Sequence, residues 1–314
     1  MAETTTNQER TPNQGLVAIA CAQQANLLTH IQAGQQELAV ETVHQLRVAT
    51  RRMGAVLPVF RKVIDPVALD AFSQSLSNLR RAAGMLRDHD VTGEHLAEWP
   101  WPIALRPWRE ALLQPQSAVR ESLANELAVR LKSAALHGAV LMLGHVLEEL
   151  SRSPEGTAVE ARLQANLTKR IRKARDRMAE TIIKAVKQQT PEALHAIRIA
   201  VKKLRYGLDL ARALGHTEVN KELKFLKELQ SEIGVHHDVH VVQEALAQYA
   251  VTHADLLPPA ARQTYKNQQR LAHRRQARRA VRIMMLGYEW MNRYRTEADT
   301  SHSTEREGAT EEPA

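Results

Sequence analysis

The stretch Val43-His-Gln-Leu-Arg-Val-Ala-Thr-Arg-Arg-Met53 has a second copy in the chain, Leu194-His-Ala-Ile-Arg-Ile-Ala-Val-Lys-Lys-Leu204. Both copies keep the order His-x-x-Arg-x-x-x-(Arg/Lys), and the apolar residues of one copy align with apolar residues of the other. The copies begin at positions 43 and 194, so they lie 151 residues apart in a chain of 314 residues. Self-similarity at nearly half the chain length indicates an internal duplication.

Each copy has the pattern of an amphipathic helix. At about 100° per residue, apolar residues fall on one side, and a histidine with several cations falls on the other. The cationic sides carry His44, Arg47 and Arg51 in the first copy and His195, Arg198, Lys202 and Arg205 in the second. The charged side of a single helix is usually only solvated, but the same order in two copies favours a shared anionic ligand. Arg52 and Lys203 lie farther round each helix and are predicted to be flanking contacts.

The charge of the chain is unevenly distributed. The net charge is +8, but residues 296–314 carry six acids against one arginine and residues 1–15 carry two acids against one arginine. With these segments at −5 and −1, residues 16–295 carry +14. Such a balance favours polyanionic partners, which include nucleic acid, polyphosphate, phosphorylated metabolites and anionic membranes.

The hydrophobic periodicity is helical and no stretch alternates as a strand would, so the sequence predicts an all-α protein. The predicted organisation is a disordered leader (1–15), a first half (16–150), a linker (151–157), a second half (158–295) and an acidic disordered tail (296–314). Residues 98–116 hold three of the four tryptophans and four prolines. We expect them to form an ordered, non-helical excursion packed by its own aromatic side chains. Residues 118–151 are predicted to be one helix.

A cytoplasmic protein without a membrane partner is expected. Residues 1–14 are polar and unlike a signal peptide, and no uncharged apolar run reaches the roughly 20 residues that a membrane span needs. The single cysteine, Cys21, rules out an intramolecular disulfide. Neither of the common glycine-rich nucleotide loops is present, and no cofactor is predicted.

A second repeated block follows each signature helix. Gly84-Met-Leu-Arg-Asp-His-Asp-Val91 matches Gly234-Val-His-His-Asp-Val-His-Val241, now with an offset of 150. In each block the glycine is predicted to end one helix, so that the aspartate, Asp88 or Asp238, could cap the next helix. The alternative, that these aspartates support a ligand site, is equally compatible with the sequence.

Together these blocks resemble the CHAD family, the histidine-containing α-helical domains. The resemblance covers about residues 16–290 and is carried by His44-x-x-Arg-Val-Ala-x-Arg-Arg-Met, by the Leu-Arg-Asp-His-Asp-Val run that ends at Val91, and by His195-x-x-Arg-Ile-x-x-Lys-Lys-Leu-Arg-Tyr206. It implies two four-helix bundles related by pseudo-two-fold symmetry, with a basic channel between them. It also implies binding of inorganic polyphosphate and association with polyphosphate granules.

The resemblance implies that the cations of the two signature helices bind phosphate, together with Arg80 and Arg87 from the adjoining block. Arginine places two parallel donors on phosphate oxygens, whereas lysine acts as a point charge. Gly54 stands where the second copy has Arg205, so the second half is expected to bind more strongly. Family members are often fused to a triphosphatase domain marked by Glu-x-Glu-x-Lys, a motif that this chain lacks, so a non-enzymatic role is expected.

Two other functions remain compatible with the sequence. A body of +14 could bind nucleic acid non-specifically, although aromatic residues are only 4% of the chain, which is unfavourable for stacking on single strands. Alternatively, two clusters could bind a metal and support a phosphohydrolase, namely Asp88 and Asp90 with His89, and His236, His237, Asp238 and His240, although no third cluster stands at a fixed spacing. No metal site is therefore predicted.

Overall fold

The computed structural model describes residues 15–253 and 258–307, with side chains described as far as Tyr294. Within these ranges every regular element is helical, as predicted. The helices are α1 (Leu16–Gln36), α2 (Val40–Val56), α3 (Pro66–Glu98), α4 (Arg106–Leu113), α5 (Gln116–Leu131), α6 (Ala134–Arg152), α7 (Gly156–Gln188), α8 (Pro191–Ala213), α9 (Asn220–Thr252) and α10 (Pro259–Glu307), with short 3-10 turns at Leu57–Val59, Ile103–Leu105 and Thr217–Val219.

The helices pack in two groups that follow the two halves of the sequence. In the first half α1 contacts α2 and α6, α2 contacts α3, and α3 contacts α5 and α6. In the second half α7 contacts α8, α8 contacts α9, α9 contacts α10, and α10 returns to α7, which closes a four-helix bundle. The pseudo-two-fold relation between the halves stays a prediction from the repeat.

The predicted apolar sides of the two signature helices form part of the core. Val43, Leu46 and Met53 of α2 are buried, as are Ile197 and Leu204 of α8. They belong to one continuous cluster of buried side chains that extends through both halves. Each such side chain contributes about 1.5–3 kcal/mol through the hydrophobic effect. Burial of these sides turns the cationic sides of α2 and α8 away from the core.

Specific residues define the ends of several helices. The Asp65 carboxylate accepts from the Ala68 amide at the start of α3, and the Thr190 hydroxyl accepts from the Ala193 amide at the start of α8. Each is followed by proline at the first helical position, where the missing amide hydrogen is not needed. Gly215 follows α8 with a φ of 95°, a left-handed conformation that glycine adopts without strain.

The prediction that the glycine blocks break their helices is wrong. α3 continues through Gly84 to Glu98, and α9 continues through Gly234 to Thr252. A glycine inside a helix costs only about 1 kcal/mol relative to alanine, which the packing of such long helices can offset. Asp88 and Asp238 therefore lie within helices, where the backbone amides are already bonded, and they do not act as caps.

The Trp- and Pro-rich segment also differs from its prediction. It contains the turn Ile103–Leu105 and the helix α4, so it is not a non-helical excursion. Its aromatic partners lie mainly in the second half, because the Trp108 ring centroid is 5.2 Å from that of Tyr249 on α9 and 5.3 Å from that of Tyr265 on α10. The segment thus joins the two halves through a small second hydrophobic cluster.

Three predicted boundaries also change. Residues 118–151 form two helices, α5 and α6, and the link between the halves shortens to residues 153–155. Helix α10 continues to Glu307, so the predicted disorder from residue 296 is wrong for residues 296–307. The rest of that tail, and the predicted leader up to residue 14, lie outside the described residues.

Across residues 15–253 and 258–307, no individual helix has both the length and the apolarity that a membrane crossing needs. One pair of segments has the length and apolar composition for a membrane crossing when the two are taken together. These are Ile103–Leu131 and Ala134–Arg152, which are bent by 50° at their junction.

Candidate functional site

The four helices that carry the repeated blocks meet at the junction of the two halves. α2 contacts α8, and α3 contacts α9. Because the apolar side of each signature helix faces the core of its own half, the cationic sides of α2 and α8 are directed into the space between the halves. The duplication has therefore placed two similar sets of cations in one region.

Four cations crowd together in this region. Arg47 and Arg51 from α2 approach Arg198 and Lys202 from α8, and all four are half-buried. Burial, together with repulsion from Arg198, Arg51 and Arg47, lowers the pKa of Lys202 to about 8. Burial also lowers the pKa values of Arg51 and Arg198, with Arg47 adding repulsion to both.

Three adjoining cavities surround this cluster and form what we call the central groove. The largest, about 450 Å³, lies over α3 and includes Arg80 and Arg81, and a second of about 260 Å³ contains His44 and Arg87. The third, about 240 Å³, contains Arg205. Arg51 lines all three cavities, which makes the groove continuous.

The predicted site residues are distributed unequally along this surface. Eight of the nine line the central groove, namely His44, Arg47, Arg51, Arg80, Arg87, Arg198, Lys202 and Arg205. His195 is exposed and lines a separate cavity beside the groove. Of the two flanking residues, Arg52 lines the 240 Å³ cavity, whereas Lys203 is exposed and lines none of the cavities described here.

Some of these cations are held by protein groups. Arg47 Nη1 donates to the carbonyl oxygen of Gly84 at 2.8 Å and to Asp88 Oδ1 at 2.7 Å. The Asp88 side chain is 72% exposed, whereas that of Arg47 is only 16% exposed. Asp88 therefore orients Arg47 from the solvent side, the supporting role that the sequence left open. A Cβ atom at position 84 would lie 3.6 Å from Arg47 Nη1, so the glycine leaves room for this contact.

Other predicted cations have weaker partners or none. Arg87 Nη1 is 3.2 Å from Glu94 Oε1, and Arg205 Nε is 3.7 Å from Asp209 Oδ2. Among the described residues, no side-chain ion pair is found for Arg51, Arg80, Arg198 or Lys202. The groove thus contains positive charge that Asp88 and Asp238 offset only from beyond ion-pair distance.

The loss of a cation at Gly54 is compensated in space. A Cβ atom at Gly54 would lie 3.5 Å from Arg80 Nη1, so the Arg80 guanidinium covers the position that a longer side chain would occupy. In the second half Gln230 stands at the repeat position of Arg80, while Arg205 replaces Gly54. Each half therefore has a single arginine for these two adjacent positions, Arg80 in the first half and Arg205 in the second. Gly54 alone no longer supports the expectation that the second half binds more strongly.

Several groove residues were not predicted from the sequence, among them Tyr206, His95, His237 and the cations Arg81 and Arg212. Tyr206 lines two of the three cavities, and His95 and His237 line the 260 Å³ cavity. His95 was missed because α3 was predicted to end near Gly84. Extending the helical periodicity of α3 through that glycine would have placed His95 two turns beyond Asp88, on the same side of the helix.

The arrangement favours anions over metal ions. Within the described residues, no group of three or more His, Cys, Asp or Glu side chains is arranged to hold a metal ion. The groove instead offers guanidinium, ammonium and imidazole donors, which bind phosphate oxygens through charge-assisted hydrogen bonds.

Lys202→Met is expected to stabilise the fold by about 1 kcal/mol at pH 7, after allowance for solvent screening of a half-buried charge. Methionine keeps the apolar stem but removes the ammonium from its repulsive neighbours. The pKa of Lys202 is about 8 in the folded protein and 10.5 in the unfolded chain, so between these pH values the unfolded chain binds more protons. The free energy of unfolding of the wild type therefore rises relative to that of the variant as the pH increases from about 8 to 10.5. Urea unfolding at pH 7 and pH 9.5 measures this difference. A stability difference that is the same at both pH values would contradict the explanation.

The fold and the site define an all-α protein with a polycationic groove between two helical halves. A profile of the CHAD domain family matches residues 18–247, which contain both signature helices and both glycine blocks. The chain belongs to the CHAD domain family.

Solved structures agree with this assignment at the level of the fold. The crystal structure of the CHAD domain from the plant Ricinus communis is 23% identical, covers 84% of this chain and 90% of its own, and gives a TM-score of 0.59. PptA from Streptomyces chartreusis is 17% identical, covers 88% of this chain and 98% of its own, and gives a TM-score of 0.63. Two uncharacterized proteins from strains of Mycobacterium tuberculosis are 27% identical over 223 residues. The match covers 68% of this chain but only 41% of those relatives.

Proposed function

We propose that this protein binds inorganic polyphosphate in the central groove without reacting with it, and that this binding can recruit it to polyphosphate granules. One observation carries the proposal: Arg51, Arg198 and Lys202 are half-buried beside Arg47, none of the three makes an ion pair within the described residues, and Asp88 and Asp238 act on them only at longer range. Such crowding opposes folding, and a bound polyanion would relieve it. The family's implied ligand has the matching chemistry, since it presents a charge on every phosphate and no base edges.

The groove suits a phosphate chain better than single-stranded nucleic acid. Recognition of single strands without sequence preference uses aromatic side chains on which bases stack. Tyr206 is the one aromatic residue lining the groove as defined here, and Trp108 is buried in the cluster beside α9 and α10. A polyphosphate chain needs only the cationic donors.

Competition binding at several salt concentrations tests the proposal. Fluorescently labelled long-chain polyphosphate would be displaced by unlabelled polyphosphate, duplex DNA or single-stranded RNA. Polyphosphate should compete best at physiological salt, with a log–log salt slope of roughly −3 if four cations each neutralise a phosphate. Equal competition by duplex DNA would favour a general nucleic-acid-binding function. Release of orthophosphate on incubation with Mg²⁺ would contradict a purely binding role.

A further inference from the structure

A separate cavity of about 280 Å³ lies beside the central groove, where the start of α8 faces the middle of α9. Four of its lining residues are histidines: His195, His236, His237 and His240. Arg198 and His237 also line the 260 Å³ cavity of the groove, so the two spaces adjoin. We call this space the histidine cavity.

The histidine cavity belongs to the second half alone. By the offset of 150, His236, His237 and His240 correspond to Leu86, Arg87 and Asp90 in the first half. Asp90 is buried there and pairs with Arg120 Nε at 2.8 Å, which is a packing role. The duplication therefore does not explain three histidines at these positions, and neither does the packing of the first half.

The charge of this cavity depends on its histidines. The other charged lining residues are Arg198, Glu192 and Glu244, so the lining carries −1 when the histidines are neutral and +3 when all four are protonated. Charged and titratable groups on four helices surround the cavity. Asp238 and Glu232 lie on α9, Asp88 and His95 on α3, Arg47 on α2 and Arg279 on α10. Glu232 lies 3.8 Å from Arg279 and 3.3 Å from Arg282, so this one carboxylate is shared by two guanidinium groups of α10.

With its histidines neutral, the cavity has a net negative lining, which disfavours a polyanion. Burial lowers the pKa of His236, and nearby His240 and Arg279 act in the same direction. Burial, Arg198 and His195 likewise lower the pKa of His237, against the opposing effect of Asp238 and Asp88. Both imidazoles therefore favour the neutral form more than a free histidine does, and with all four histidines neutral Glu192 and Glu244 outweigh Arg198 in the lining. A phosphate group placed between the histidines would raise their pKa values, so that binding takes up protons.

We propose that the histidine cavity is a second phosphate-binding subsite, which a long polyphosphate chain enters from the central groove only under mildly acidic conditions. The inference rests on the proposed function, because the chain must first occupy the groove that leads to the cavity. Imidazolium groups would donate hydrogen bonds to phosphate oxygens there. A short chain held by the central cations would not reach the cavity.

Isothermal titration with long-chain polyphosphate and with tripolyphosphate, at pH 8.0 and pH 6.0, tests this subsite. The variant is His236→Gln with His240→Gln, since neither residue lines the central groove. Comparing proteins at one pH cancels changes in the protonation of the ligand itself. At pH 6.0 the double variant should bind long-chain polyphosphate roughly 10-fold more weakly than wild type. This factor corresponds to a rise of about one unit in the histidine pKa when polyphosphate binds. At pH 8.0, and with tripolyphosphate at either pH, the two proteins should agree within about 2-fold.

A matched control is His216→Gln, which removes an exposed histidine near the start of α9, away from the cavity. A second variant, Glu192→Gln with Glu244→Gln, removes the two acids and should strengthen long-chain binding at pH 8.0 by a few fold. The subsite is refuted if the histidine variant matches wild type at pH 6.0, or if it loses affinity equally at both pH values. If wild type binds neither ligand at either pH, the proposed function itself fails.

Discussion

Arg51→Glu with Lys202→Glu is expected to weaken binding of long-chain polyphosphate at least about 100-fold. The two changes remove the cation that lines all three cavities of the groove and the cation facing it from α8. Charge-assisted hydrogen bonds contribute about 1.5–3 kcal/mol each, so losing two of them accounts for two decades of affinity. Fluorescence anisotropy at physiological salt measures the effect. Arg47 is a poorer target, since it also holds the Gly84 carbonyl and Asp88.

The matched control is Lys132→Glu with Arg152→Glu, which changes the net charge by the same amount. Both residues are exposed, at the ends of α5 and α6, and line none of the cavities described here. This variant should bind within about 3-fold of wild type, since distant exposed charges are screened by salt. If both charge-reversed variants lose affinity equally, net charge rather than the groove governs binding.

Glu222→Gln is expected to destabilise the second half by about 3 kcal/mol. Glu222 is 2% exposed, and its carboxylate accepts from Arg175 Nη2 at 2.6 Å, from Arg175 Nε at 3.2 Å and from Trp290 Nε1 at 3.2 Å. It therefore ties α9 to α7 and α10. Removing one partner of a buried ion pair leaves the other charge uncompensated, which typically costs 3–5 kcal/mol. Arg175 is partly exposed, which puts the loss at the lower end of that range.

Thermal unfolding followed by circular dichroism measures this loss, and a fall in Tm of roughly 6–12 °C is expected for a protein of this size. Glu228→Gln is the control, an exposed residue on the same helix that should change Tm by about 1 °C at most. Polyphosphate affinity at 20 °C should stay close to wild type, because Glu222 lines no part of the central groove. A normal Tm would show that the ion pair contributes little to the fold.

The helical repeat made most of the site predictable. The alignment of His44 with His195 and of Arg47 with Arg198 identified the two helices that meet, because local periodicity determines which side of a helix is buried. Once the apolar sides were assigned to the cores, the cations had to face outward. Eight of the nine residues named from the sequence line the groove, six of them on α2 and α8 for this reason, whereas Arg80 and Arg87 lie on α3.

The glycine blocks and residues 98–116 were mispredicted for a common reason. Gly84 and the proline cluster are strong local signals for a break, but long-range contacts override them. α3 continues through Gly84 while packing against α2, α5 and α6, and Arg47 of α2 donates to the Gly84 carbonyl. The tryptophan segment packs against Tyr249 and Tyr265, more than 130 residues later in the chain. No local pattern contains the partners of these contacts.

The sequence by itself determined the helical class, the duplication and the family, and it named most of the groove cations. These properties depend on periodicity, order and residue type, which are local. Only the tertiary structure decided that Arg80 covers the space at Gly54, that Asp88 orients Arg47, and that His236 and His240 share a cavity with His195. Each of these depends on the distance between side chains of different helices, and helix packing alone sets that distance.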